Sequence, residues 1–565
     1  MNSIHLKAGL AIALLLLATL AGLYLSGFLT LLFLKLDSGG MKWWVYIDYL
    51  RTIDVPQVRP YAGRIKAAGA IGFGTPLLAY AALLVLIVKP RQKSLHGDAR
   101  FAGTGDLSRH DMFKETPKSI VVGRFGGRLV RLPGQQHVIL AAPSRSGKGI
   151  GVVIPNLLTY SDSMVVLDIK GENYEITSGW RASQGQEIYR FDPFSENTHR
   201  WNPLHNISRD PKYLISDVQA IAEKLYPDGA DQDKFWISQS RNAFTAFTLY
   251  LFDNYADMEK MGFPQDFMTW PTLGQIFTLS SGDGSDLKQY ILAKLASRDF
   301  LGSRTKTAFA GLTSQAEETF ASIMGSFKQP LNKWISPILD AATSDSDFRL
   351  SDVRKRKMTV YVTISPNKLA EARQILNLFF AELVGVNTGQ GQLPQNDPGL
   401  KYQCLLLMDE FTAAGRVDII ASTIGHTAGY NIRKLIVIQS MSQLDATYGK
   451  EEARTLMTNC ALQIVYAPRE QRDANDYSEM LGYTTLRKRN HSRSHGREGN
   501  VTISEAEERR ALMLPQELKA MGNDTEIIFY EGIGSPVKCS KIRYYEDRFF
   551  KDRLLKPVKL PKLIM

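Results

Sequence analysis

Residues 137–150 read HVILAAPSRSGKGI, and this stretch decides the fold. The run from His137 to Ala142 is of strand type. Pro143, Ser144, Arg145 and Ser146 make a short turn, and Gly147, Lys148 and Gly149 follow it. The chain then becomes apolar again at Ile150, Val152, Val153, Ile154, Leu157 and Leu158. A strand, a tight loop, a lysine and a helix start together form a seat for an anion. Loop N–H groups and the positive end of the helix point at it, and the lysine adds a point charge. The general pattern is G-x-x-x-x-G-K-[ST]. Here Ala142 stands in place of the first glycine, and Gly149 in place of the hydroxyl that would ligate Mg²⁺. The expected nucleotide contacts are Ala142, Pro143, Ser144, Arg145, Ser146, Gly147, Lys148 and Gly149, with Lys148 neutralising the β- and γ-phosphates.

A second stretch, LLLMDE at 405–410, supplies the other half of such a site. Its apolar run reads as a buried strand ending in two acids at the carboxyl edge, where open α/β sheets bind ligands. Asp409 is placed to hold Mg²⁺ and Glu410 to polarise the attacking water. The competing reading is a pair of helix-capping acids. Gln439 ends the strand-like LIVIQ and is positioned to sense a γ-phosphate, the alternative being a polar residue that merely ends a strand.

Further apolar, β-branched runs lie at Met164–Asp168, Glu187–Phe191, Thr359–Ile364, Gln403–Met408, Leu435–Ile438, Gln463–Ala467 and Glu526–Tyr530. Such runs suit strands buried on both faces of a largely parallel sheet. With helical patterns between them the class is α/β. From Phe191 to Thr359 only helical patterns appear: Leu214–Leu225, Phe235–Leu251, Leu287–Leu295, Thr305–Phe327 and Pro330–Leu339. We read residues 206–352 as an all-α domain inserted into a nucleotide-binding core made of 97–205 and 353–540, with a basic tail at 541–565.

The chain has 565 residues, a net charge of +11 and an apolar fraction of 44%. That length calls for more than one folded unit and the composition excludes wholesale disorder. The charge suggests an anionic partner, nucleic acid or acidic lipid. Three widely separated cysteines, Cys404, Cys460 and Cys539, suggest neither a disulfide framework nor a zinc site. Residues 8–34 and 67–88 are uncharged and long enough to cross a bilayer, so 1–96 reads as a two-span anchor with an external loop. Trp43, Trp44, Tyr46 and Tyr49 in that loop suit a membrane interface. Lys89, Arg91 and Lys93 after the second span favour that end being cytoplasmic. A nucleotide site needs the cytoplasmic pool, which also places both termini inside.

The motifs APSRSGKG-x-G-x-VIPNLL, LDIKGENYE, FDPF, WNPL, LLLMDEF, residues 425–444 and Asn459-Cys460 resemble the type IV secretion coupling proteins of the TraG/VirD type. The resemblance covers nearly the whole chain. It implies an inner-membrane, RecA-like P-loop ATPase with an all-α insertion, assembling as a hexamer around a channel and using ATP with Mg²⁺. It also implies delivery of DNA as a relaxase complex, or of protein effectors, to a type IV secretion channel. Two other readings stand beside it: a chromosome-partitioning DNA translocase, and a non-hydrolysing receptor that nucleotide stabilises. Some relatives carry an arginine ahead of the Gln439 strand that reaches the neighbouring subunit's nucleotide. Here His426 lies in that neighbourhood, and Arg433 is the candidate by charge.

Residues 486–497, LRKRNHSRSHGR, hold five Lys/Arg and two histidines. They read as a solvated loop, with a nucleic-acid-contacting loop as the alternative. His491 and His495 lack an acid or cysteine partner nearby, so no zinc is assigned. Phe235, Trp236, Phe244 and Phe247 lie at helical spacing and read as core of the insertion. The tail, with eight Lys/Arg, three acids and two prolines, reads as an extended surface segment.

Overall fold

The computed structural model describes residues 3–88, 95–228, 234–493 and 501–564, and the chain forms two compact units, Met1–Leu95 and His96–Met565. Lys89, Arg91, Lys93 and His495 lie outside the described residues. In the first unit, helices Ser3–Phe33 and Ala62–Val88 are apolar over enough length to cross a membrane. Their Leu16, Leu17, Leu20, Leu78 and Val85 side chains are exposed, as lipid-facing residues would be. Where the helices meet the residues are small: a Cβ on Gly72 would lie 2.5 Å from the Ser26 backbone. The buried Ser26 hydroxyl is satisfied within its own helix, donating to the Leu23 carbonyl.

The second unit is built on one large sheet. Its strands are β1 (Ile120–Phe125), β2 (Arg128–Leu132), β3 (Val138–Ala141), β4 (Ser163–Asp168), β5 (Glu187–Phe191), β6 (Met358–Thr363), β7 (Cys404–Met408), β8 (Ile432–Ile438) and β9 (Leu462–Val465). A separate hairpin joins β10 (Tyr483–Arg493) to β11 (Val501–Ala511), and β12 (Thr525–Tyr530) and β13 (Val537–Ser540) return to the sheet. The order is β2-β1-β13-β12-β9-β3-β8-β7-β4-β6-β5. From β9 to β5 every pairing is parallel; from β9 to β2 every pairing is antiparallel. All eight strands expected from apolar runs are present. The expectation of a largely parallel sheet needs correction, because β12, β13, β1 and β2 add an antiparallel flank.

Alternate residues of the parallel strands serve two cores. Ile139 and Val165 face the inserted helices, whereas Val138, Leu140, Met164 and Val166 face the core shared with β1, β2 and the tail. Among the described residues, helices alone fill the interval between β5 and β6. Leu214–Leu225 is a helix, and the aromatic pattern beyond it lies on the longer helix Lys234–Lys260. The pattern at Thr305–Phe327 is two helices, Ser303–Thr313 and Glu317–Lys328, because Ala316 adopts an extended backbone between them. A helix not anticipated, Leu273–Ser281, starts at a capping box in which Thr272 accepts from the Gln275 N–H.

Phe244 and Phe247 are buried, with Phe247 stacked on Phe327 at 5.4 Å, but Phe235 is half exposed and does not belong to the core. The root of the insertion is aromatic too: Trp201 packs against Phe191 and Phe379, with ring centres 5.5 and 5.0 Å away. The inserted helices therefore share one continuous apolar core with the sheet.

Two other expectations change. The basic stretch from Leu486 is no loop as far as Arg493; it is strand, paired in register with β11. The tail is no loose surface segment. Val558 N donates to Ser178 Oγ at 3.2 Å, and Tyr174 Oη donates to the Val558 carbonyl at 2.6 Å. A Cβ on Gly179 would come within 2.0 Å of the Lys556 carbonyl, so the tail crosses helix Glu172–Ser183 at a point only glycine permits.

Candidate functional site

The site lies at the carboxyl ends of β3, β8, β7 and β4, which are adjacent in that order. After β3 the chain enters a loop whose backbone is unusual at two positions: φ is +61° at Arg145 and +87° at Gly147. The left-handed region suits glycine and costs an arginine some strain. The loop is braced from three sides. Arg469 donates to the Ser144 carbonyl at 2.9 Å, Lys541 to the Ser146 carbonyl at 3.3 Å, and Ser146 Oγ to the Pro143 carbonyl at 2.6 Å. A π-helical turn, Gly149–Val153, then leads into helix Ile154–Thr159. Within that turn a Cβ on Gly151 would meet the Tyr466 hydroxyl at 2.4 Å, so the helix start seats against β9's end only because residue 151 is glycine.

Register brings the acids together. Leu167 of β4 pairs with Met408 of β7, so Asp168 and Asp409 lie side by side at the strand ends. Asp168 is 1% exposed and accepts from the N–H groups of Tyr174 (2.9 Å) and Asn173 (3.4 Å). Burial pushes its carboxyl up to about 6, and Asp409 pushes the same way against those N–H groups. Asp409 is raised by burial as well, opposed by Lys148. Asn173 Nδ2 donates to Asp409 Oδ2 at 3.4 Å, while the buried Oδ1 has no hydrogen-bond partner among the described residues.

Glu410 follows in the left-handed region at φ +53°, which turns its carboxylate toward the loop, with Oε1 3.2 Å from Lys148 Nζ. Lys148 Nζ makes no hydrogen bond among the described residues. A buried ammonium held by one carboxylate and a buried carboxylate oxygen without a donor are groups prepared for charges that come from outside the protein. Both line a cavity of about 490 Å³, together with Ser144, Arg145, Gly147, Gly149, Asn173 and Tyr544. Gln439 lies beside that cavity and not in its lining, its Oε1 accepting from Ser144 Oγ at 2.9 Å.

Arg433 is elsewhere. It lies within β8, fully buried, and its guanidinium donates to the carbonyls of Gln136 (2.6 Å), Lys118 (2.8 Å) and Leu132 (3.2 Å). A fully buried guanidinium already spent on three carbonyls is not available to a neighbouring subunit's nucleotide, so the role of a trans-acting arginine is corrected to that of an anchor between the sheet centre and the antiparallel flank. His426 is exposed on helix Ile424–Thr427.

The model of the type IV secretory system conjugative DNA transfer family matches residues 94–564. The chain belongs to that family. It is 29% identical over 477 residues to protein VirD4 of Rhizobium rhizogenes, covering 82% of this chain and 68% of the relative. To the conjugal transfer protein TraG of Escherichia coli it is 26% identical over 475 residues, covering 76% and 71%. Among solved structures it resembles the unbound bacterial conjugative coupling protein TrwBdeltaN70, with a TM-score of 0.56 at 17% identity over 80% of this chain and 94% of that one. TrwB in complex with ADP and Mg²⁺ aligns with a TM-score of 0.54 at 18% identity, covering 80% and 95%. These two likenesses establish the RecA-like fold. As a member of the family the protein is the ATPase coupling protein that links a DNA substrate to type IV secretion.

Several residues of this site are poorly signalled by the sequence. Asp168 and Asn173 lie in the LDIKGENYE motif, where the available signal is an acid ending a buried strand. Arg469 and Lys541 reach the loop from remote segments, and nothing local announces them.

Proposed function

We propose that the cavity beside Lys148 binds ATP with Mg²⁺ and hydrolyses it to drive transfer. The observation that carries this reading is one cavity lined by both the buried Lys148 Nζ, paired with Glu410, and Asp409, whose buried Oδ1 has no hydrogen-bond partner among the described residues. Asp409, backed by Asp168, would hold Mg²⁺, and a metal there supplies charge neutralisation at the phosphates. Lys148 exchanges its contact with Glu410 for phosphate oxygens. Glu410, so released, accepts a proton from the attacking water, and Gln439 reports on the γ-phosphate through Ser144. Arg145 is exposed at the mouth of the cavity, where it meets the phosphates of its own chain's nucleotide.

The two apolar helices anchor the chain in the inner membrane with both termini and the second unit in the cytoplasm. Copies assemble as a homo-oligomer, a hexamer by family resemblance, facing the channel components. Residues 206–352 select the cargo, a relaxase–DNA complex or an effector protein.

Two substitutions test the chemistry. Lys148→Ala lowers nucleotide affinity and abolishes transfer while the protein stays folded. Glu410→Gln keeps ATP bound but slows hydrolysis by roughly 10²- to 10⁴-fold, the loss of a general base. Equal loss of nucleotide affinity in both variants would show that the roles are misassigned.

A further inference from the structure

β13 ends at Ser540, and the chain that follows it goes directly to the nucleotide cavity. Lys541 Nζ reaches the Ser146 carbonyl and also sits 3.6 Å from the centre of the Tyr466 ring, which ties this segment to the phosphate-binding loop. Three residues later Tyr544 forms part of the cavity wall. It is half-buried, and its ring meets Tyr545 edge-on at 5.6 Å.

Besides Arg145, Lys170, Glu172 and Asn173, the cavity lining holds two sets of residues that differ in kind. Lys148, Asp168, Asp409 and Glu410 are charged groups at the strand ends. Ile150, Ile154 and Ile176 lie further along the helices that leave those strands. Ile154 is six residues beyond Lys148, roughly 9 Å at helical rise. Apolar side chains do nothing for a triphosphate, which is solvated by charge and N–H groups. An aromatic ring and three isoleucines suit a flat, weakly polar ring system displaced from the phosphates by about that distance.

We infer that Tyr544 is the platform on which the base of the bound nucleotide stacks, with Ile150, Ile154 and Ile176 completing an apolar base site. The inference rests on the nucleotide reading above and extends it to a segment beyond the strands that carry the chemistry. Stacking reads the π-face and not the base edge, so adenine and guanine are held alike. The C-terminal segment is then a working part of the site: Lys541 positions the loop and Tyr544 holds the base.

The experiment is equilibrium binding of ATP, GTP and inorganic tripolyphosphate to the full-length protein in detergent, as wild type, Tyr544→Ala and Tyr544→Phe. Base stacking is worth roughly a 5- to 150-fold change in affinity. Tyr544→Ala weakens ATP and GTP by similar factors in that range and leaves tripolyphosphate unchanged, while Tyr544→Phe binds all three as wild type does. Retained tripolyphosphate binding shows that the alanine variant is folded. Undiminished ATP binding in Tyr544→Ala, or an equal loss for tripolyphosphate, overturns the base platform. Should wild-type affinity for ATP and tripolyphosphate be indifferent to Lys148→Ala, the nucleotide reading itself fails, which is a separate result.

Discussion

The parallel half of the sheet and its antiparallel flank differ in how they are buried, and that difference separates what each contributes. Strands β4, β6, β7 and β8 are buried at every position, so their sequences are mostly apolar, with Arg433 and Lys434 of β8 as buried charged exceptions. Their carboxyl ends carry Asp168, Asp409 and Gln439. In the flank, β2 (RLVRL) and β13 (VKCS) alternate polar with apolar residues or begin exposed, and they are short. That flank contributes no acid to the site, yet the segment leaving it supplies Lys541 and Tyr544. The chemistry sits on the parallel half, and the segment that leaves the antiparallel half adds Tyr544 to the cavity wall.

The comparison breaks most visibly if the parallel half stands without its insertion. Because Phe191, Trp201 and Phe379 lie in a core continuous with the inserted helices, deleting residues 206–352 exposes a large apolar face. We expect aggregation instead of a minimal ATPase, measured as loss of the monodisperse species in detergent. A well-folded deletion variant that still binds ATP would show that the two cores are separable.

Next in size is the tie between the halves. Arg433→Ala removes a buried side chain and leaves three carbonyls without a donor, at a cost of about 2–5 kcal/mol in unfolding free energy. Mixed with Lys148→Ala subunits it restores no ATPase activity, because the lost function is structural and cannot be supplied by a neighbour. Recovery of activity in rings shown to be mixed would return Arg433 to a trans role.

The smallest effect sharpens the account of the acid pair. Asp168 binds a proton in the folded state up to about pH 6, above the ordinary aspartate value near 3.9. The folded protein therefore holds more protons than the unfolded chain between those values, and this carboxyl costs stability as pH rises through that window. Bringing in a metal cation expels the proton. Calorimetry of ATP binding with Mg²⁺ in buffers of different ionisation enthalpy shows proton release near pH 6 and none at pH 8. Absence of release at pH 6 would mean that the two carboxylates are already ionised in the free protein.

Several things were legible in the sequence because they depend on local pattern. A strand buried on both faces is mostly apolar, a membrane span must be long and uncharged, and a phosphate-binding loop needs glycine and lysine at a set distance from its strand. Lys148, Asp409, Glu410 and Gln439 are legible that way; the cavity brings the first three together, and Gln439 meets it only through Ser144. The antiparallel flank, the hairpin from Tyr483, the pairing of Asp168 with Asp409, the anchoring of Arg433 and the arrival of Lys541 and Tyr544 were decided only in three dimensions. Each depends on register between strands or on contact across hundreds of residues. Arg433 shows the physical reason most directly: an arginine's charge can be read from sequence, but whether its guanidinium meets phosphate or carbonyl oxygens is set by which segments the fold packs around it.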